Sequence, residues 1–292
     1  MKLKTAYQAA NNLGEGPIWH PERGSIFWVD ILEKNLYELN WESQQRNAWK
    51  MPTKIGTVAV ESKNSVVVAL QGGIARFNLE TAFLEYLTDL EKDTETNRPN
   101  DGKCDSKGRL WQGTMNLDCT PEAGSLYCFN GNTLTKKLAN LTISNGMAWS
   151  LDNQKFYFID SPTYQIACYC FDEESGEIQF LKTAVKIPES MGKPDGMTID
   201  SDEMLWVAHW GGFAVRRWNP DTGDLLETIE LPVPQVTSCT FGGKDLDELF
   251  ITTARVGMSD EDLVKYPESG HLFTQKMSVK GKETFKFVKK NE

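Results

Sequence analysis

The sequence contains no long uninterrupted apolar run, which is the first requirement of a membrane-spanning helix. No stretch approaches the roughly 18 consecutive apolar residues that a helix needs to cross a bilayer. The N-terminus, MKLKTAYQAANNLGEG, also lacks the apolar segment that a secretory signal peptide requires. We therefore expect a cytoplasmic protein that has no membrane partner.

Positive charge is also scarce. The chain has 41 acidic and 31 basic residues and a formal net charge of -10. Its basic residues are scattered, apart from a small C-terminal group of Lys286, Lys289 and Lys290. Proteins that bind nucleic acids or anionic membranes instead concentrate Lys and Arg on one surface. The charge pattern therefore argues against both kinds of partner.

Histidine and closely paired cysteine, the usual ligands of a dedicated zinc site, are nearly missing. The chain has three His and six Cys residues, and no two cysteines form a CxxC pair. This pattern argues against a structural zinc knot or a thioredoxin-type redox site. We expect reduced, mostly buried thiols. His20 and His209 lie within or beside strand-like segments, and we expect them to be packed, hydrogen-bonded residues rather than ligands.

Short strand-like segments, by contrast, are abundant. Segments such as SIFWVDI, SVVVAL, KFYFID and LFITTA are rich in β-branched or aromatic residues and are bounded by turn residues. Long helical periodicity is nearly absent. Segments 81–97 and 257–268 depart from the pattern, and we predict inter-strand loops there, with at most a short helical turn. The sequence therefore predicts an all-β fold.

A phrase of about 16 residues recurs six times along the chain. It consists of a small polar residue, Gly, an apolar residue, a turn and two strands. Clear copies are GEGPIWHPERGSIFWVD, NDGKCDSKGRLWQGTM, SNGMAWSLDNQKFYFID and PDGMTIDSDEMLWVAHW, with a weaker copy in IGTVAVESKNSVVVAL and a degenerate one in SCTFGGKDLDELFITTA. The leading Gly or its counterpart lies at positions 16, 56, 102, 146, 196 and about 239.

This spacing of roughly 40 to 50 residues is typical of one four-stranded propeller blade. The repeat predicts an all-β, six-bladed β-propeller that forms a single domain over residues 1–292. A sandwich or barrel with chance similarity among its hairpins is the alternative.

The polar residue that precedes the Gly of each repeat is the candidate functional position. The start of the first strand of each propeller blade lines the central channel, so that equivalent positions converge there. These positions hold Glu15, Asn100, Asp101, Asn145 and Asp195. Carboxylate and amide oxygens suit hard cations such as Ca²⁺, Mg²⁺ and Mn²⁺. Asn-Gly and Asp-Gly also form ordinary hairpin turns, but here they precede the first strand, which favours a metal site in the central channel.

Five phrases in the same order resemble the gluconolactonase, regucalcin (senescence marker protein) and luciferin-regenerating enzyme family. They are LGEGPIW, NRPNDGKCDSKGRLWQGTM, SNGMAWSLD, PDGMTIDSDEMLWVA and TSCTFGG, and the similarity covers roughly residues 10–275. The resemblance implies one divalent metal ion, Ca²⁺, Zn²⁺, Mn²⁺ or Mg²⁺, whose ligands are Glu15, Asn145 and Asp195. It also implies that Asp195 is the catalytic general base or acid.

The resemblance further implies a substrate. Family members with this pattern hydrolyse the internal ester of aldonolactones such as gluconolactone, so the expected partner is a small-molecule sugar lactone. Arg98 and Asn100 in NRPND, and Asp118 in GTMNLD, would bind the sugar. Asp118 stands where the family's animal members carry Glu, and the CTPEAG segment after it is shorter, which predicts a different lid. From the residues alone, a surface ion pair with Asp93 or Glu95 is an alternative role for Arg98.

Three other functions stay open at this point. One is a non-catalytic calcium-binding regulator of the regucalcin type, and another is a propeller that displays peptide-binding loops. The third is a lactonase or esterase for apolar acyl groups, which needs an apolar channel mouth. Because the predicted mouth carries Arg98, Asn100 and Asp118, a polyhydroxylated substrate is favoured. The particular lactone, the metal and the oligomeric state stay open.

Overall fold

The chain folds into six antiparallel β-sheets of four strands each. The computed structural model describes residues 2–289; Met1 and residues 290–292, at the ends of the predicted domain, lie outside the described residues. We number the sheets as blades 1 to 6 in chain order. Blades 1 to 5 each consist of four consecutive strands, whereas blade 6 takes its outermost strand from the N-terminal segment.

In chain order the strands are β1 (Lys4–Tyr7), β2 (Gly14–His20), β3 (Ser25–Asp30), β4 (Asn35–Asn40), β5 (Arg46–Lys50), β6 (Ile55–Ser62), β7 (Ser65–Leu70), β8 (Gly72–Asn78), β9 (Leu84–Leu90), β10 (Asn97–Cys104), β11 (Leu110–Asn116), β12 (Gly124–Phe129), β13 (Leu134–Leu141), β14 (Ser144–Trp149), β15 (Lys155–Asp160), β16 (Gln165–Phe171), β17 (Ile178–Lys186), β18 (Lys193–Ile199), β19 (Leu205–Trp210), β20 (Ala214–Trp218), β21 (Leu225–Glu230), β22 (Val236–Gly242), β23 (Glu248–Thr253) and β24 (Leu272–Lys276). Blade 6 contains β22, β23, β24 and β1 in that order from the centre.

The predicted six-bladed propeller is confirmed, and each copy of the repeat forms the two innermost strands of one blade. The prediction for segment 81–97 was wrong in part, because residues 84–90 form β9, the outermost strand of blade 2. Only one residue of this strand, LEYLTDL, is buried, so it carries no run of buried apolar residues that would mark a strand. Segment 257–268 contains the predicted helical turn.

That turn is the helix α1 (Asp260–Lys265), which begins at a capping box. The Ser259 side chain accepts the Asp262 N–H, and the Asp262 carboxylate accepts the Ser259 N–H, an arrangement that stabilises a helix start. No helix within residues 2–289 has the length and apolarity of a membrane span.

The innermost strand of every blade has an irregular register against its neighbour. In β2 the shift lies between Glu15 and Ile18, in β10 between Pro99 and Gly102, in β14 between Ser144 and Met147, and in β18 between Pro194 and Met197; β6 and β22 have equivalent shifts. A bulge leaves residues unpaired and redirects their side chains. The polar residues of the repeat lie at these bulges.

The Gly at the start of the repeat allows neighbouring innermost strands to approach closely. A Cβ atom at Gly56 would lie 2.6 Å from the carbonyl oxygen of Asn100, and one at Gly146 would lie 2.6 Å from that of Asp195. Real Cβ atoms do not tolerate such distances. The repeated Gly is therefore a packing requirement of the channel wall.

Apolar side chains between adjacent blades form the core. Trp111 of β11 contacts Trp149 of β14 edge to face, with ring centroids 5.9 Å apart, and Trp206 of β19 contacts Phe241 of β22 in the same way at 6.2 Å. The six cysteines are free thiols, four of them buried, as predicted.

The two histidines predicted to be packed are fully buried. His20 Nε2 lies 3.0 Å from the Ser62 carbonyl oxygen, and His209 Nδ1 lies 3.1 Å from that of Met191. This prediction is confirmed.

The channel is blocked at its lower face, where the innermost strands end. Lys103 of blade 3 donates from Nζ to the Met197 carbonyl of blade 5, at 2.8 Å. The C-terminal segment 280–289 then crosses this face, and its backbone bonds to Ser201, Val60 and Gly108 of blades 5, 2 and 3. Phe287 of this segment is buried and stacks on Phe129. Small molecules therefore reach the channel from the upper face.

We expect Thr237→Val to lower the free energy of unfolding by about 1–3 kcal/mol. Thr237 Oγ1 is buried in blade 6 and donates to the Gly14 carbonyl of blade 1 at 2.6 Å. Valine has the same shape but leaves this carbonyl without its donor, and an unsatisfied buried polar group has about that cost. Urea unfolding measures the change. The control Thr228→Val, on the exposed face of β21, should shift the midpoint little, and an equal shift in both variants would contradict the assigned role.

Candidate active site in the central channel

The starts of four innermost strands meet at a cavity of about 350 Å³ that opens on the upper face. Five of the six predicted site residues line it and are buried: Glu15, Arg98, Asn100, Asn145 and Asp195. They come from blades 1, 3, 4 and 5. The repeat thus brings together residues that are up to 180 positions apart in the sequence.

Two of the three predicted metal ligands present a buried oxygen atom that has no hydrogen-bond partner. These atoms are Asn145 Oδ1 and Asp195 Oδ1. The amide of Asn145 donates from Nδ2 to Ser161 Oγ at 3.0 Å, which fixes the side chain with its oxygen free. Buried oxygens of this kind are rarely left unpaired in folded proteins. A cation between them would satisfy both.

The third predicted ligand, Glu15, lines the same cavity. Its Oε2 accepts the Gly16 N–H at 3.0 Å. Burial raises its pKa from 4.5 to about 8, and the neighbouring Asp101 carboxylate contributes in the same direction. The pKa of Asp195 is also raised well above 3.8, first by burial and then by Glu15 and Asp101. Crowded buried carboxyl groups of this kind favour a proton or a metal ion beside them.

The donor set fits a hard divalent cation. Two carboxylates and one amide supply three oxygen ligands, and Ca²⁺ or Mg²⁺ would complete its coordination with water or substrate oxygens. No three His, Cys, Asp or Glu side chains within residues 2–289 form a metal-ligand cluster, and the third oxygen of the predicted set belongs to an amide. A metal ion at this position is therefore a proposal.

Asp101 is a buried charge of the channel that was noted in the sequence but not assigned to the site. Burial raises its pKa, and the ammonium of Lys103 and the Gly102 N–H oppose that shift. Asp101 Oδ1 accepts the Gly102 N–H at 2.8 Å. Its carboxylate adds to the negative field at Glu15 and Asp195. It therefore increases the preference of this part of the channel for a cation.

Arg98 and Asn100 form a hydrogen-bonded pair beside the carboxylates. Arg98 Nη1 donates to Asn100 Oδ1 at 2.7 Å and to the Pro99 carbonyl at 2.9 Å. Asn100 Nδ2 donates to the Ser144 carbonyl of the next blade at 2.9 Å. Burial lowers the pKa of Arg98 to about 10, so the guanidinium stays charged at neutral pH. The alternative of a surface ion pair with Asp93 or Glu95 is wrong, because Arg98 is buried in the channel.

The structure does not bring Asp118 to the other five residues. Asp118 is exposed in the loop 117–123 between β11 and β12 and does not line the cavity. The Asn116 side chain holds this loop, since its Oδ1 accepts the Asp118 N–H and the Thr120 hydroxyl, each at 3.0 Å. Leu117 and Cys119, on either side of Asp118, face the cavity instead. A contact between Asp118 and a substrate stays a prediction that requires the loop to move.

Sequence reasoning missed the apolar character of the cavity mouth. Six apolar residues surround the opening, and we call them the rim: Leu13, Leu32, Leu117, Ile143, Trp210 and Val256. Lys193 is the charged residue among them. The rim residues lie in upper turns and at strand ends of blades 1, 3, 4, 5 and 6. The expectation of a mouth formed by Arg98, Asn100 and Asp118 was therefore wrong, because the first two form the floor and the third lies outside.

Comparison with known proteins identifies the family. A model of the SMP-30/gluconolactonase/LRE-like region matches residues 13–255. The chain belongs to this family. YvrE of Bacillus subtilis, which is named as a sugar lactone lactonase, is 34% identical over 277 residues, covering 94% of this chain and 95% of YvrE. Regucalcin of Oryctolagus cuniculus is 36% identical over 279 residues, covering 94% and 93% of the two chains.

Solved structures of the SMP-30/gluconolactonase/LRE-like family have the same architecture. Regucalcin from Agrobacterium tumefaciens, described as a calcium-binding protein, matches with a TM-score of 0.92 and 28% identity, covering 98% of this chain and 97% of that chain. A luciferin-regenerating enzyme matches with a TM-score of 0.92 and 31% identity, covering 98% and 99%. The resemblance noted in the five sequence phrases is therefore confirmed.

In this family member we expect Ser161→Ala to weaken binding of Ca²⁺ by about tenfold. Ser161 holds the amide of Asn145, and loss of a group that orients a metal ligand typically has an effect of this size or larger. Calorimetric titration of chelator-treated protein measures the affinity. Ser201→Ala, an exposed change on the lower face, is the matched control. Unchanged affinity in Ser161→Ala would show that Asn145 needs no such support or is not a ligand.

Proposed function

We propose that this chain hydrolyses the ring ester of a sugar lactone, such as gluconolactone, to the aldonic acid in a reaction that depends on a divalent metal ion. The observation that carries the proposal is the pair of unpartnered buried oxygens of Asn145 and Asp195, beside Glu15 and within one cavity with Arg98 and Asn100. Family membership and the name of YvrE support the same reaction.

A bound divalent cation supplies the positive charge that polarises the lactone carbonyl and favours ionisation of water. Asp195 is positioned to accept a proton from the attacking water molecule. Beside a bound cation its carboxylate would be ionised, as a proton acceptor has to be. Water adds to the carbonyl carbon, the ring C–O bond breaks, and the proton passes from Asp195 to the leaving ring oxygen. The products are a carboxylic acid and a free hydroxyl group.

Arg98 and Asn100 orient the lactone. The two bonds described above use Arg98 Nη1, so Nε and Nη2 are not required for them and can donate to lactone oxygens. Because the guanidinium is already fixed by Asn100, little side-chain freedom is lost when substrate binds. Donors held in advance near the carbonyl stabilise negative charge as it develops there.

A calcium-binding regulator of the regucalcin type is the second candidate. The same unpartnered oxygens favour it, and several relatives are named regucalcin. A role as a calcium-binding regulator does not explain why the Arg98–Asn100 pair lies in the cavity with the predicted metal ligands. We therefore rank hydrolysis first.

The experiment that separates the two candidates is metal add-back. Chelator-treated protein is supplied in turn with Ca²⁺, Zn²⁺, Mn²⁺ and Mg²⁺, and acid release from D-glucono-1,5-lactone and other aldonolactones is followed. The lactonase proposal expects turnover above the spontaneous rate that requires a metal. Metal binding without turnover on any lactone would overturn it and favour the regulator.

A further inference from the structure

The rim is a preformed apolar surface. Leu32, Trp210 and Val256 pack on one side against the buried core of blades 1 and 2, and they line the cavity on the other side. Apolar side chains fixed in this way need no ordering when a ligand binds, so contact with them contributes its full value to affinity. A polyhydroxylated sugar makes poor use of such a surface.

Leu117 has a different support. Its backbone N–H donates to the Thr96 carbonyl at 2.8 Å, and the loop that follows is held by Asn116 as described above. Even so, 39% of the Leu117 side chain is exposed at the opening of the cavity. A large apolar side chain fixed at the entrance to a ligand cavity lies where an apolar part of a ligand would be removed from water.

The polar groups of the cavity lie elsewhere. Glu15, Arg98, Asn100, Asn145 and Asp195 belong to the innermost strands and form the floor, whereas the rim is formed by turns and strand ends of the upper face. A ligand that satisfies both parts has a polar head at the floor and an apolar portion at the opening. The lactone ring that the proposed function places at the floor therefore points a ring substituent towards the rim.

We propose that the substrate of this chain is a lactone that carries an apolar substituent, and that the rim binds this substituent. The inference rests on the proposed metal-dependent hydrolysis of a lactone ring. It changes the preferred substrate from a fully hydroxylated sugar lactone such as gluconolactone to a lactone whose ring carries an apolar substituent. The sequence disfavoured a lactonase for apolar substrates because a polar cavity mouth was expected. The mouth is apolar, so that hypothesis is favoured again. Lys193, the charged residue beside the rim, lies on blade 5. The sides of the opening formed by blades 1, 3, 4 and 6 are apolar.

The test is a homologous series of alkyl lactones with an identical ring. δ-Valerolactone, δ-hexanolactone, δ-heptanolactone and δ-octanolactone differ by one methylene at each step, and kcat/KM is measured for each with the metal that gives turnover. We expect kcat/KM to rise about fourfold per methylene, the factor that corresponds to about 0.8 kcal/mol for each buried CH₂. The whole series then spans roughly 60-fold.

A rim variant shows whether the gain arises at the proposed surface. Leu117→Asn, which keeps the number and branching of the side-chain heavy atoms but makes them polar, should reduce the ratio of kcat/KM between δ-octanolactone and δ-valerolactone by at least about threefold. Leu226→Asn is the matched control, since Leu226 is exposed on the outermost strand β21, and it should keep the wild-type ratio. An equal ratio in wild type and Leu117→Asn would overturn the assignment of the rim.

Failure of this inference is distinguishable from failure of the proposed function. Turnover of D-glucono-1,5-lactone together with a flat alkyl series would overturn the apolar substrate and leave metal-dependent hydrolysis in place. Absence of turnover for every lactone with every metal would overturn both.

Discussion

Asp195→Asn is expected to lower kcat/KM for lactone hydrolysis by about 10²- to 10⁴-fold. Asparagine keeps the volume of the side chain and can still offer an oxygen to a cation, but it cannot accept a proton from water. General base catalysis typically contributes a factor of this size. The measurement is acid release at a saturating concentration of metal, so that the change reports the proton-transfer role rather than metal loading.

Comparison with Asn145→Ala separates the two roles given to Asp195. Asn145 is proposed only as a ligand, so Asn145→Ala should require more metal but regain kcat when metal is in excess. Asp195→Asn should not regain it. Asp224→Asn, the same substitution at an exposed residue outside the cavity, is the control and should keep the wild-type kcat/KM. Recovery of Asp195→Asn to within about threefold of wild type would show that Asp195 is a ligand and not the base.

The floor of the site could be predicted from the sequence because a repeat fixes it. Residues such as Glu15, Asn145 and Asp195 occupy one position of a unit that recurs once per blade, and a propeller brings equivalent positions to its axis. The sequence also contains the Gly that each position needs next to it. Gly56 and Gly146 show the reason, since any side chain there would meet the backbone of the neighbouring blade.

The rim could not be predicted in the same way, because turns and strand ends rather than equivalent repeat positions form it. The segment from Asn116 to Cys119 shows the difficulty. Leu117, Asp118 and Cys119 are consecutive, yet the first and third line the cavity and the second does not. The Asn116 side chain sets the direction of this loop, because its Oδ1 accepts the Asp118 N–H and the Thr120 hydroxyl. A resemblance in sequence can assign Asp118 to a substrate, but it cannot show which way the loop turns.

The outermost strands were missed for a different reason. A strand is recognised in a sequence by apolar residues that alternate or cluster. In β9 and in β21 only one residue of the strand is buried, and the third strand of the blade supplies the pairing. These strands form because they pair with the rest of the blade, and their own sequences carry no hydrophobic pattern that predicts a strand. They lie far from the channel, so the error had no consequence for the candidate site.

Protein freed of metal should lose stability as the pH rises towards 8, and Glu15 should account for part of that loss. The pKa of Glu15 is about 8 in the folded chain and 4.5 in the ordinary state that an unfolded chain provides. Below pH 4.5 the group is protonated in both states. Between 4.5 and 8 the unfolded chain has released the proton while the folded chain keeps it, so each pH unit favours unfolding by about 1.4 kcal/mol. The pKa of Asp195 is also raised and acts in the same direction.

The difference between wild type and Glu15→Gln isolates this contribution. Burial lowers the pKa values of His20 and His209. The folded chain therefore binds protons at these groups less readily than the unfolded chain, so that stability rises as the pH approaches 6.5, which opposes the effect of Glu15. Both histidines are present in wild type and variant, so their contribution cancels. Urea unfolding at pH 5.5 and 8 in the presence of chelator should show Glu15→Gln gaining stability relative to wild type at the higher pH, by a few kcal/mol. Glu42→Gln, an exposed change in a turn, should gain nothing.

Addition of a divalent cation should reverse the trend in wild type. Metal ligands must lose their protons before they bind, so metal affinity rises with pH up to about the folded pKa of the ligand. The cation binds the folded chain and therefore stabilises it more at pH 8 than at pH 5.5. Glu15→Gln removes one of the two carboxylate charges among the three predicted ligands and should respond weakly to the cation at both pH values. A wild-type response to Ca²⁺ that does not depend on pH would contradict a ligand role for Glu15, whatever the fate of the lactonase proposal.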